Sequence, residues 1–433
     1  MKTLDVYYKD AIAGHLIREE DGTFHFQYEA NYLASDLPAI SISLPKRAAA
    51  FESHRLFAFF DGIIPEGWLL RIATDKLRLN PLLDRFELLE SICHDTIGAV
   101  SIGTRVKNDI DQSIELEVQI PSIDRCMICY QPLKKTEDIY HPGCMKRVFQ
   151  KMISPIVSLN EELLTALANQ QINMKLAVPG AQKKLSLGLN GEGRSTRLTM
   201  TDMWGNFIFK PEGQAPHLPA NEHLCMQLAR LSGIQTEDSA LIPVSDGTIG
   251  FIARRFDRGP KGEKYHQEDF CQILGRESYN KYNGSIEQIG NALKAHSDFP
   301  GDNLYRLLEV IVFNFLIGNV DAHLKNFSIL YETPKGMNKL LSPGYDFLST
   351  DLYLNDDEES ALAINGRKNN LRKKDFLALA NYVGIRDKIL LKLIEKFESF
   401  LPEWQDLIMK SFLSEQKKME FIALIDNRMR RLS

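Results

Sequence analysis

The sequence predicts an α+β fold in two parts, a small α+β subdomain and then a larger region with a β-rich lobe followed by a helical lobe. Alternating apolar and polar residues, which indicate strands, occupy the first 45 residues and return between residues 176 and 253. From about residue 267 the apolar residues recur instead at helical spacing. A cleft between two such lobes is the default place for a ligand site.

Composition and charge are those of an ordinary globular protein. Of the 433 residues, 44% are hydrophobic and 25% are charged, and 52 basic against 57 acidic residues give a net charge of −5. This balance excludes a protein that coats nucleic acid through an overall positive charge, although it does not exclude a local basic patch. The most apolar run, Val310–Gly318, is far shorter than the roughly 20 residues that a membrane span needs.

The N-terminus and the cysteines indicate the compartment. Residues 1–6 contain no apolar signal core ahead of the first acidic residue, so secretion is not expected. Six cysteines are too few for a disulfide scaffold in so long a chain, and three of them cluster beside a histidine. We therefore expect a protein of the reducing cytoplasm that does not contact a membrane.

Shifts in composition predict five segments along the chain. A small α+β subdomain covers residues 1–105, and an exposed connection rich in Asp, Glu and Ser covers 106–124. A segment with cysteines and a histidine follows at 125–150. The β-rich lobe covers 151–255 and the helical lobe covers 256–433.

In the N-terminal subdomain, runs with strand periodicity precede stretches with helical periodicity. The strand-like runs are Leu4–Tyr8, Thr23–Tyr28 and Ala39–Leu44. The helical stretches place apolar residues at Trp68, Leu69, Ile72 and Leu77, and again at Phe86, Leu88, Leu89 and Ile92.

The β-rich lobe is predicted to contain several strands and two helices. The runs are Leu176–Val178, Lys184–Leu189, Thr196–Met200, Asn206–Lys210, Ala240–Val244 and Ile249–Ala253. One helix covers residues 160–170, and another, Ala220–Leu231, begins behind a proline and ends before a glycine. In the helical lobe the clearest patterns are Leu304–Ile317 and residues 375–430.

The first segment with chemical potential is a turn of small residues, Val178–Lys184, between two strand-like runs. Backbone N–H groups at Gly180 and Ala181 could approach phosphate oxygens, with Lys184 nearby. Taken by itself, the segment is better explained as an ordinary hairpin turn, and it lacks the spacing of a Walker loop.

The second segment is Phe207–Pro211, in which Lys210 ends an apolar strand. Such a lysine can direct its ammonium toward the α- and β-phosphates of a nucleotide, and Glu222 in the following helix is its candidate partner. The alternative, favoured for this segment in isolation, is a solvated lysine at a strand end.

The third segment, Gly318–Phe327, is the most informative, because it begins where an almost entirely apolar helix ends. Asp321 and Asn326 have the spacing of the kinase base and of the Asn that holds Mg²⁺. Lys325 adds a charge that could stabilise a migrating phosphoryl group. A polar loop that merely caps a helix does not explain so many polar residues between two apolar stretches.

The fourth segment, Tyr345–Phe347, lies where kinases have the aspartate that chelates Mg²⁺, although Leu348 stands in place of the usual glycine. A Tyr-Asp pair means little without its context. Phosphate loop, strand lysine, base with Asn, and metal Asp follow one another in the order in which kinases carry them. Phosphoryl transfer needs these parts because its catalysis depends mostly on positioning and charge neutralisation. Together the four segments favour an ATP-dependent kinase.

A separate cluster has the spacing of a metal site. It reads Cys-x2-Cys-x11-His-x2-Cys, with the candidate ligands Cys126, Cys129, His141 and Cys144. Two ligand pairs on tight turns are typical of structural zinc. Reduced, buried cysteines without a metal are an equally good explanation at this stage. The other cysteines, Cys93, Cys225 and Cys271, lie on apolar helical faces and are predicted to be core residues.

Taken together, these segments resemble the HipA-like serine/threonine protein kinases, the toxins of bacterial toxin–antitoxin pairs, over nearly the whole chain. The matching segments are Phe59–Gly67, Arg85–Leu89, Ile97–Val100, Pro179–Lys184, Arg255–Arg258, His266–Gln272 and Asp321–Ser328. The Cys/His segment is similar to the start of the shorter HipT-type kinases, whose N-terminal unit is a separate small protein. The chain therefore resembles both parts fused, and the implied fold is a bilobed protein-kinase-like fold preceded by the small α+β subdomain.

The resemblance implies ATP and Mg²⁺ as cofactors. The implied nucleotide-binding residues are Pro179, Gly180, Ala181, Gln182, Lys183, Lys184, Lys210, Arg254, Arg255, Phe256, His323, Leu324, Lys325, Asn326, Tyr345 and Asp346. Asp321 would be the catalytic base, assisted by Lys325, and Asn326 and Asp346 would hold the Mg²⁺.

The resemblance also implies partners. Family members phosphorylate serine or threonine on proteins, and the known targets are aminoacyl-tRNA synthetases, whose inactivation halts translation. A HipB-like helix-turn-helix antitoxin usually binds and silences the kinase, so DNA would be contacted only indirectly, through the antitoxin.

Two positions depart from the family pattern. Ala177 stands where family members carry a serine that they autophosphorylate, so silencing by that route is not expected. Arg254 stands where others have an acid, but adenine contacts there use mostly the backbone.

We predict an active HipA-like protein kinase. Two functions of other classes stay open, a small-molecule or lipid kinase with the same site and a non-catalytic interaction module.

Overall fold

The computed structural model describes residues 1–103, 123–134, 139–155, 157, 161–173, 175, 177, 182–190, 197–199, 205–213, 215–259, 262–332, 338–354 and 357–433. The strands are β1 (Lys2–Tyr8), β2 (Ala11–Arg18), β3 (Phe24–Tyr28), β4 (Phe51–Ser53), β5 (Val100–Ile102), β6 (Leu185–Asn190), β7 (Arg197–Thr199), β8 (Phe207–Lys210), β9 (Ser239–Pro243), β10 (Ile249–Arg254), β11 (Gln267–Asp269), β12 (Ser328–Tyr331) and β13 (Lys339–Leu341). The helices are α1 (Ala30–Leu33), α2 (Ala58–Gly62), α3 (Gly67–Leu77), α4 (Arg85–Ile92), α5 (Pro142–Phe149), α6 (Glu161–Asn173), α7 (Leu218–Leu231), α8 (Phe270–Ile273), α9 (Ile286–His296), α10 (Pro300–Ile317), α11 (Lys373–Tyr382), α12 (Asp387–Ser399), α13 (Leu401–Lys410) and α14 (Glu415–Leu432).

The N-terminal part has its own sheet and its own hydrophobic core. Its sheet has the order β4-β3-β2-β1-β5, and every pair for which a register is defined is antiparallel. Helices α3 and α4 cover the two stretches where the sequence has helical periodicity. Ala168 and Ile172 of α6 also enter this core. Strand β2, at the centre of the sheet, was not predicted.

The predicted strand Ala39–Leu44 is wrong. The structure has only an isolated bridge there, between Ser41 and Leu44. The buried carboxylate of Glu268 explains the difference, because it accepts hydrogen bonds from the Ser41 hydroxyl at 2.6 Å and from the Ile42 N–H at 3.1 Å. The polar groups of this segment are thus satisfied by a distant side chain rather than by a neighbouring strand.

The β-rich lobe is a second antiparallel sheet, of order β7-β6-β8-β10-β9, with α7 packed against it. Phe207 and Phe209 of β8 are buried in the core. Lys210 ends this strand and pairs in register with Phe251 of β10. The end of β8, the central strand of this sheet, therefore places a lysine where it contacts Asp346 of the other lobe.

The helical lobe is built around α10, whose residues from Leu307 to Ile317 are all buried. Its cap, Gly318, has a positive φ of 70°, which ends the helix and begins the polar loop that carries Asp321. A small sheet, β11-β12-β13, also lies in this region, where mainly helices were predicted. Its strands have only three or four residues each, too few to establish a period in the sequence.

A buried ionic cluster joins the N-terminal part to the segment between the lobes. The carboxylate of Asp257 pairs with the guanidinium groups of Arg255 and Arg258 and accepts the Gly98 N–H at 2.9 Å. Burial favours the neutral acid, but the two arginines outweigh it and hold the pKa of Asp257 well below its usual range. The N-terminal part is thereby fixed beside the interlobe cleft.

Among the described residues, no helix combines the length and the apolar character needed to cross a bilayer.

Candidate active site

The main cleft, of about 840 Å³ including space open to solvent, lies where three parts of the molecule meet. The β-rich lobe, including the connection between α7 and β9, contributes Lys184, Ile208, Lys210, Glu237 and Ala253. The helical lobe contributes Gln267, Asp269, Gln272, Lys281, His323, Lys325, Asn326, Ser328, Tyr345 and Asp346. The N-terminal part contributes Gly62, Ile63, Glu66 and Ile97.

Lys210 joins the two lobes across this cleft. Its ammonium is 2.6 Å from Oε1 of Glu222 in α7 and is in direct contact with Oδ1 of Asp346. Burial opposes the charge of this lysine, but the two carboxylates outweigh burial and raise the pKa of Lys210. Burial raises the pKa of Glu222 to about 7, against the opposing effect of Lys210. The lysine is therefore a fixed, fully charged group.

Asp346 is the point where the predicted metal ligands meet. It adopts a left-handed conformation, with φ of 59°, which short polar side chains tolerate best. Nδ2 of Asn326 donates to its Oδ2 at 2.9 Å. Burial works to raise the pKa of Asp346, but Lys210 and Lys184 more than offset this and hold it below its usual range. A charged carboxylate and an amide thus lie side by side.

Lys184 is the second ammonium of the cleft. It is buried, and burial lowers the pKa of Lys184 to about 8 even though Asp346 favours its charged form. Two ammonium groups, of Lys184 and Lys210, therefore lie at the end of the cleft that holds Asp346 and Glu222, and ammonium groups of this kind bind phosphate oxygens in kinases.

Asp321 is exposed and is not among the residues that line the cleft, although His323, two residues further along the chain, does line it. Its Oδ1 accepts a hydrogen bond from the hydroxyl of Tyr282 at 2.6 Å. Partial desolvation raises the pKa of Asp321, and the bond from Tyr282 opposes that rise. A carboxylate in this position is accessible to a large substrate and has increased basicity.

Lys325 is bound to partners in two parts of the molecule. Its ammonium donates to Oδ2 of Asp269 at 2.9 Å and to the Gly62 carbonyl at 3.0 Å, and it lies 3.5 Å from Oε1 of Glu66. Asp269 and Glu66 outweigh burial and raise the pKa of Lys325. The neighbouring His323 lines the same wall, and burial lowers the pKa of His323 to about 3, so its ring is neutral.

Several of the predicted site residues do not line the cleft. Gln182 is exposed, the Lys183 ammonium lies over the Trp68 ring at 5.9 Å from its centroid, and Leu324 is buried in the core. Pro179, Gly180 and Ala181, the tip of the predicted phosphate loop, fall outside the described residues.

The lobe-joining segment contributes to the cleft through Ala253 rather than through the side chains that follow. Arg254 pairs with Asp238 at 2.5 Å, and Arg255 pairs with Asp257. The Phe256 ring packs against Tyr345, with centroids 5.5 Å apart. The predicted role of residues 254–256 in nucleotide binding stays a prediction. Because their side chains contact other residues, their backbone groups would make the contacts with the nucleotide.

The structure adds residues that the sequence analysis did not assign to the site, namely Glu66, Glu237, Asp269 and Lys281. Burial raises the pKa of Glu237 well above its usual range, and burial also raises the pKa of Asp269. The sequence signal of Glu237 is weak, since it is one of two acids just before the buried strand β9. Glu66 and Asp269 lie within segments that match the family, and this match is the feature of the sequence that could have assigned both residues to the site.

The cleft fits a magnesium nucleotide by its chemistry. The ammonium groups of Lys184 and Lys210 are suited to phosphate oxygens, and Asp346 with Asn326 offers the oxygen ligands that Mg²⁺ prefers. Ile208 and Ala253 supply an apolar wall suited to a base. Nδ1 of His323 is buried without a hydrogen-bond partner in the same wall, so a polar group of a ligand would satisfy it.

The four residues of the Cys/His cluster come together in space, with their ligand atoms all within 4.8 Å of one another. They are not among the residues that line the cleft. Cys93, Cys225 and Cys271 are each buried, as the sequence predicted.

The two lobes and the cleft between them define a protein-kinase-like fold. The solved complex of HipA, HipB and operator DNA from Shewanella oneidensis MR-1 contains a chain similar to this one, with a TM-score of 0.71 and 21% identity over 99% of this chain and 97% of that chain. The model of the HipA-like C-terminal domain matches residues 176–404, and that of the HipA N-terminal domain matches residues 4–103. The chain belongs to the HipA-like family.

Curated relatives carry kinase names. The putative kinase Y4mE of Sinorhizobium fredii is 29% identical over 85% of this chain and 82% of its own length. The serine/threonine-protein kinase toxin HipA of Shewanella oneidensis is 23% identical over 93% of this chain and 88% of its own length. These matches confirm the predicted family.

Proposed function

We propose that this protein is an ATP- and Mg²⁺-dependent serine/threonine protein kinase. The observation that carries the proposal is the contact of Lys210 with both Glu222 and Asp346 across the cleft, with Asn326 bonded to the same aspartate. Kinase chemistry needs this lysine–carboxylate pairing and these metal ligands in one place. Membership of the HipA-like family supports the same conclusion.

In the proposed mechanism each residue acts through its charge or its proton. Lys184 and Lys210 bind and orient the phosphates, and Asp346 with Asn326 would hold the metal. Bound Mg-ATP supplies the phosphoryl group and a leaving group whose charge the metal neutralises. Asp321 accepts the proton of the attacking hydroxyl. Lys325 is proposed as a further positive group on this wall.

A protein is the proposed substrate class, because Asp321 is exposed at the surface rather than enclosed within the cleft. A serine or threonine on an exposed loop can reach such a position. We propose an aminoacyl-tRNA synthetase as the target, so that phosphorylation halts translation and growth. The relative named as a serine/threonine-protein kinase toxin supports the role of a toxin.

The proposed partner is a HipB-like helix-turn-helix antitoxin in the cytoplasm, with DNA contacted only through that antitoxin. The solved Shewanella complex, in which HipA is found with HipB and operator DNA, supports this assembly. We also propose that residues 1–105 are a HipA N-terminal subdomain, that 106–124 are a linker and 125–150 a Cys/His segment, and that 151–255 and 256–433 are the two lobes.

The test is to follow the γ-phosphate of ATP into cell lysate. The purified chain, with labelled ATP and Mg²⁺, is expected to label a small number of proteins on serine or threonine, and uncharged tRNA is expected to accumulate if the target is a synthetase. Label in the lipid or small-molecule fraction alone would contradict the protein substrate. Unchanged ATP in every fraction would contradict kinase activity altogether.

The hydrogen bond from Tyr282 to Asp321 predicts a shift in the pH profile of transfer. Asp321 must be deprotonated to act as a base, so the rate falls as pH drops through its pKa. The phenol stabilises the carboxylate, and Tyr282→Phe removes that stabilisation and raises the pKa of Asp321 further. The acidic limb of kcat/KM against pH is therefore expected to move to higher pH.

Tyr279→Phe is the matched control for this shift, because its hydroxyl contacts Glu277 rather than Asp321. It is expected to leave the profile in place. Identical acidic limbs for Tyr282→Phe and the unmodified protein would remove Asp321 from the role of base.

A further inference from the structure

The Cys/His module, defined here as residues 123–134 and 139–155, brings four ligand side chains from two turns to one point. Cys126 and Cys129 lie on the first turn, and His141 and Cys144 lie at the start of α5. Their ligand atoms are all within 4.8 Å of one another. Around a tetrahedral zinc with bonds of roughly 2.3 Å to sulfur, neighbouring sulfurs would be about 3.8 Å apart. Small movements of the side chains bring the cluster to that spacing.

The imidazole is already oriented as a ligand. Nε2 of His141 is 3.0 Å from the Pro132 carbonyl, and since a carbonyl only accepts, Nε2 carries the proton. The other nitrogen, Nδ1, then carries a lone pair and lies 3.2 Å from Sγ of Cys129. A metal-bound histidine usually donates its second nitrogen to a backbone carbonyl in this way.

One thiol of the cluster also has the surroundings of a metal thiolate. Sγ of Cys126 accepts the backbone N–H of His141 at 3.4 Å, an interaction that favours the charged sulfur. The side chain is fully buried, whereas Cys129 and Cys144 are only partly covered. A buried sulfur that accepts a backbone N–H has the surroundings of a cysteine that ligates a metal.

The module fastens elements of both lobes. The Met127 carbonyl accepts the Leu241 N–H of β9 at 3.0 Å, and the Tyr130 hydroxyl is 2.7 Å from Nδ1 of His223 in α7. Arg125 donates to the Lys410 carbonyl at the end of α13, at 2.9 Å. The residue next to His223 is Glu222, so the module supports the helix whose carboxylate binds Lys210.

We propose that the three thiolates and the imidazole of this cluster hold one structural Zn²⁺ in a closed, four-coordinate site. Four protein ligands leave no position for water or substrate, so the ion stabilises the module and takes no part in catalysis. Without the ion, the short module relies on its contacts with β9, α7 and α13 to stay ordered. This inference stands whether or not the chain is a kinase, because it depends only on the cluster.

Metal analysis of the intact protein tests the proposal. Purification without added metal is expected to yield one zinc per chain, and mercurial titration of the thiols is expected to release it. Replacement with Co²⁺ is expected to give the visible absorption bands of a tetrahedral Cys₃His centre. Removal of the ion by a strong chelator is expected to lower the Tm measured by calorimetry, because a structural zinc contributes directly to folding.

Variants separate the site from general effects on folding. Cys144→Ser is expected to lose the stoichiometric zinc, whereas Cys93→Ser, which changes a buried cysteine outside the cluster, is expected to keep it. His141→Cys keeps four ligands and should retain one ion, with cobalt bands shifted toward those of a four-thiolate centre. Protein without zinc that keeps the three thiols of the cluster reactive and has an unchanged Tm overturns the proposal. So does a disulfide within the cluster, detected as a loss of two hydrogens by mass.

Discussion

Asp321→Asn is expected to lower phosphoryl transfer by a factor on the order of 10² to 10⁴ while the fold stays intact. The amide has the same shape as the carboxylate but is not basic enough to accept the proton of the attacking hydroxyl. The side chain keeps an exposed edge, and its hydrogen bond from Tyr282 can be retained by the amide oxygen. Initial rates of transfer, measured beside Tm and the affinity for Mg-ATP, separate lost chemistry from lost structure.

Asp36→Asn is a suitable control for this substitution, because Asp36 is an exposed carboxylate of the N-terminal part, away from the cleft residues. It makes the same change of charge and is expected to leave transfer and Tm as they are. If Asp321→Asn transfers phosphate at an undiminished rate, Asp321 is not the base. If it loses Mg-ATP affinity as much as rate, the residue acts in binding.

The sequence predicted the parts of the site whose chemistry is carried by residue type and order. Lys210 ends a clear apolar strand, and Asp321 with Asn326 follows a clear apolar helix, so each was placed by a strong local period. The fold then brings Lys210 to Asp346, a residue 136 positions away, as the motif order required. The structure joins the groups, while their catalytic roles stay predictions.

Features that depend on distant partners were not visible in the sequence. Lys325 was predicted as a positive charge that could stabilise the migrating phosphoryl group, and its bond to the Gly62 carbonyl, 263 positions earlier in the chain, was not predicted. The segment Ala39–Leu44 alternates like a strand, but its polar groups donate hydrogen bonds to the buried carboxylate of Glu268. A local pattern reports the period of a segment and contains no information about a partner of this kind.

The N-terminal part illustrates the same limit on a larger scale. Its helices were predicted from their own periods, but its contribution of Glu66 to a wall of the cleft follows from docking. One contact of that docked arrangement is the carboxylate of Asp257, which accepts the Gly98 N–H and pairs with two arginines. The cleft is therefore a property of the assembled chain rather than of the two lobes separately.

Lys210→Met is expected to abolish detectable transfer and also to destabilise the fold. The ammonium is nearly buried between Glu222 and Asp346, and its loss leaves two carboxylates close together, with Lys184 as a remaining ammonium that acts on Asp346. Breaking a buried ion pair on one side costs about 3–5 kcal/mol. Urea unfolding, monitored by circular dichroism, is expected to show a loss of that size.

The double variant Lys210→Met with Glu222→Gln distinguishes a structural lysine from one that also binds phosphate. Removing the charge of Glu222 leaves one buried carboxylate instead of two, so a substantial part of the lost stability is expected to return. Transfer and Mg-ATP affinity are expected to stay lost, because no ammonium is restored to the end of β8. Glu222→Gln, measured as a single variant, gives the remaining corner of the cycle. A double variant that regains both stability and transfer would mean that Lys210 serves only to neutralise its neighbours, and the phosphates would then have to be bound by Lys184.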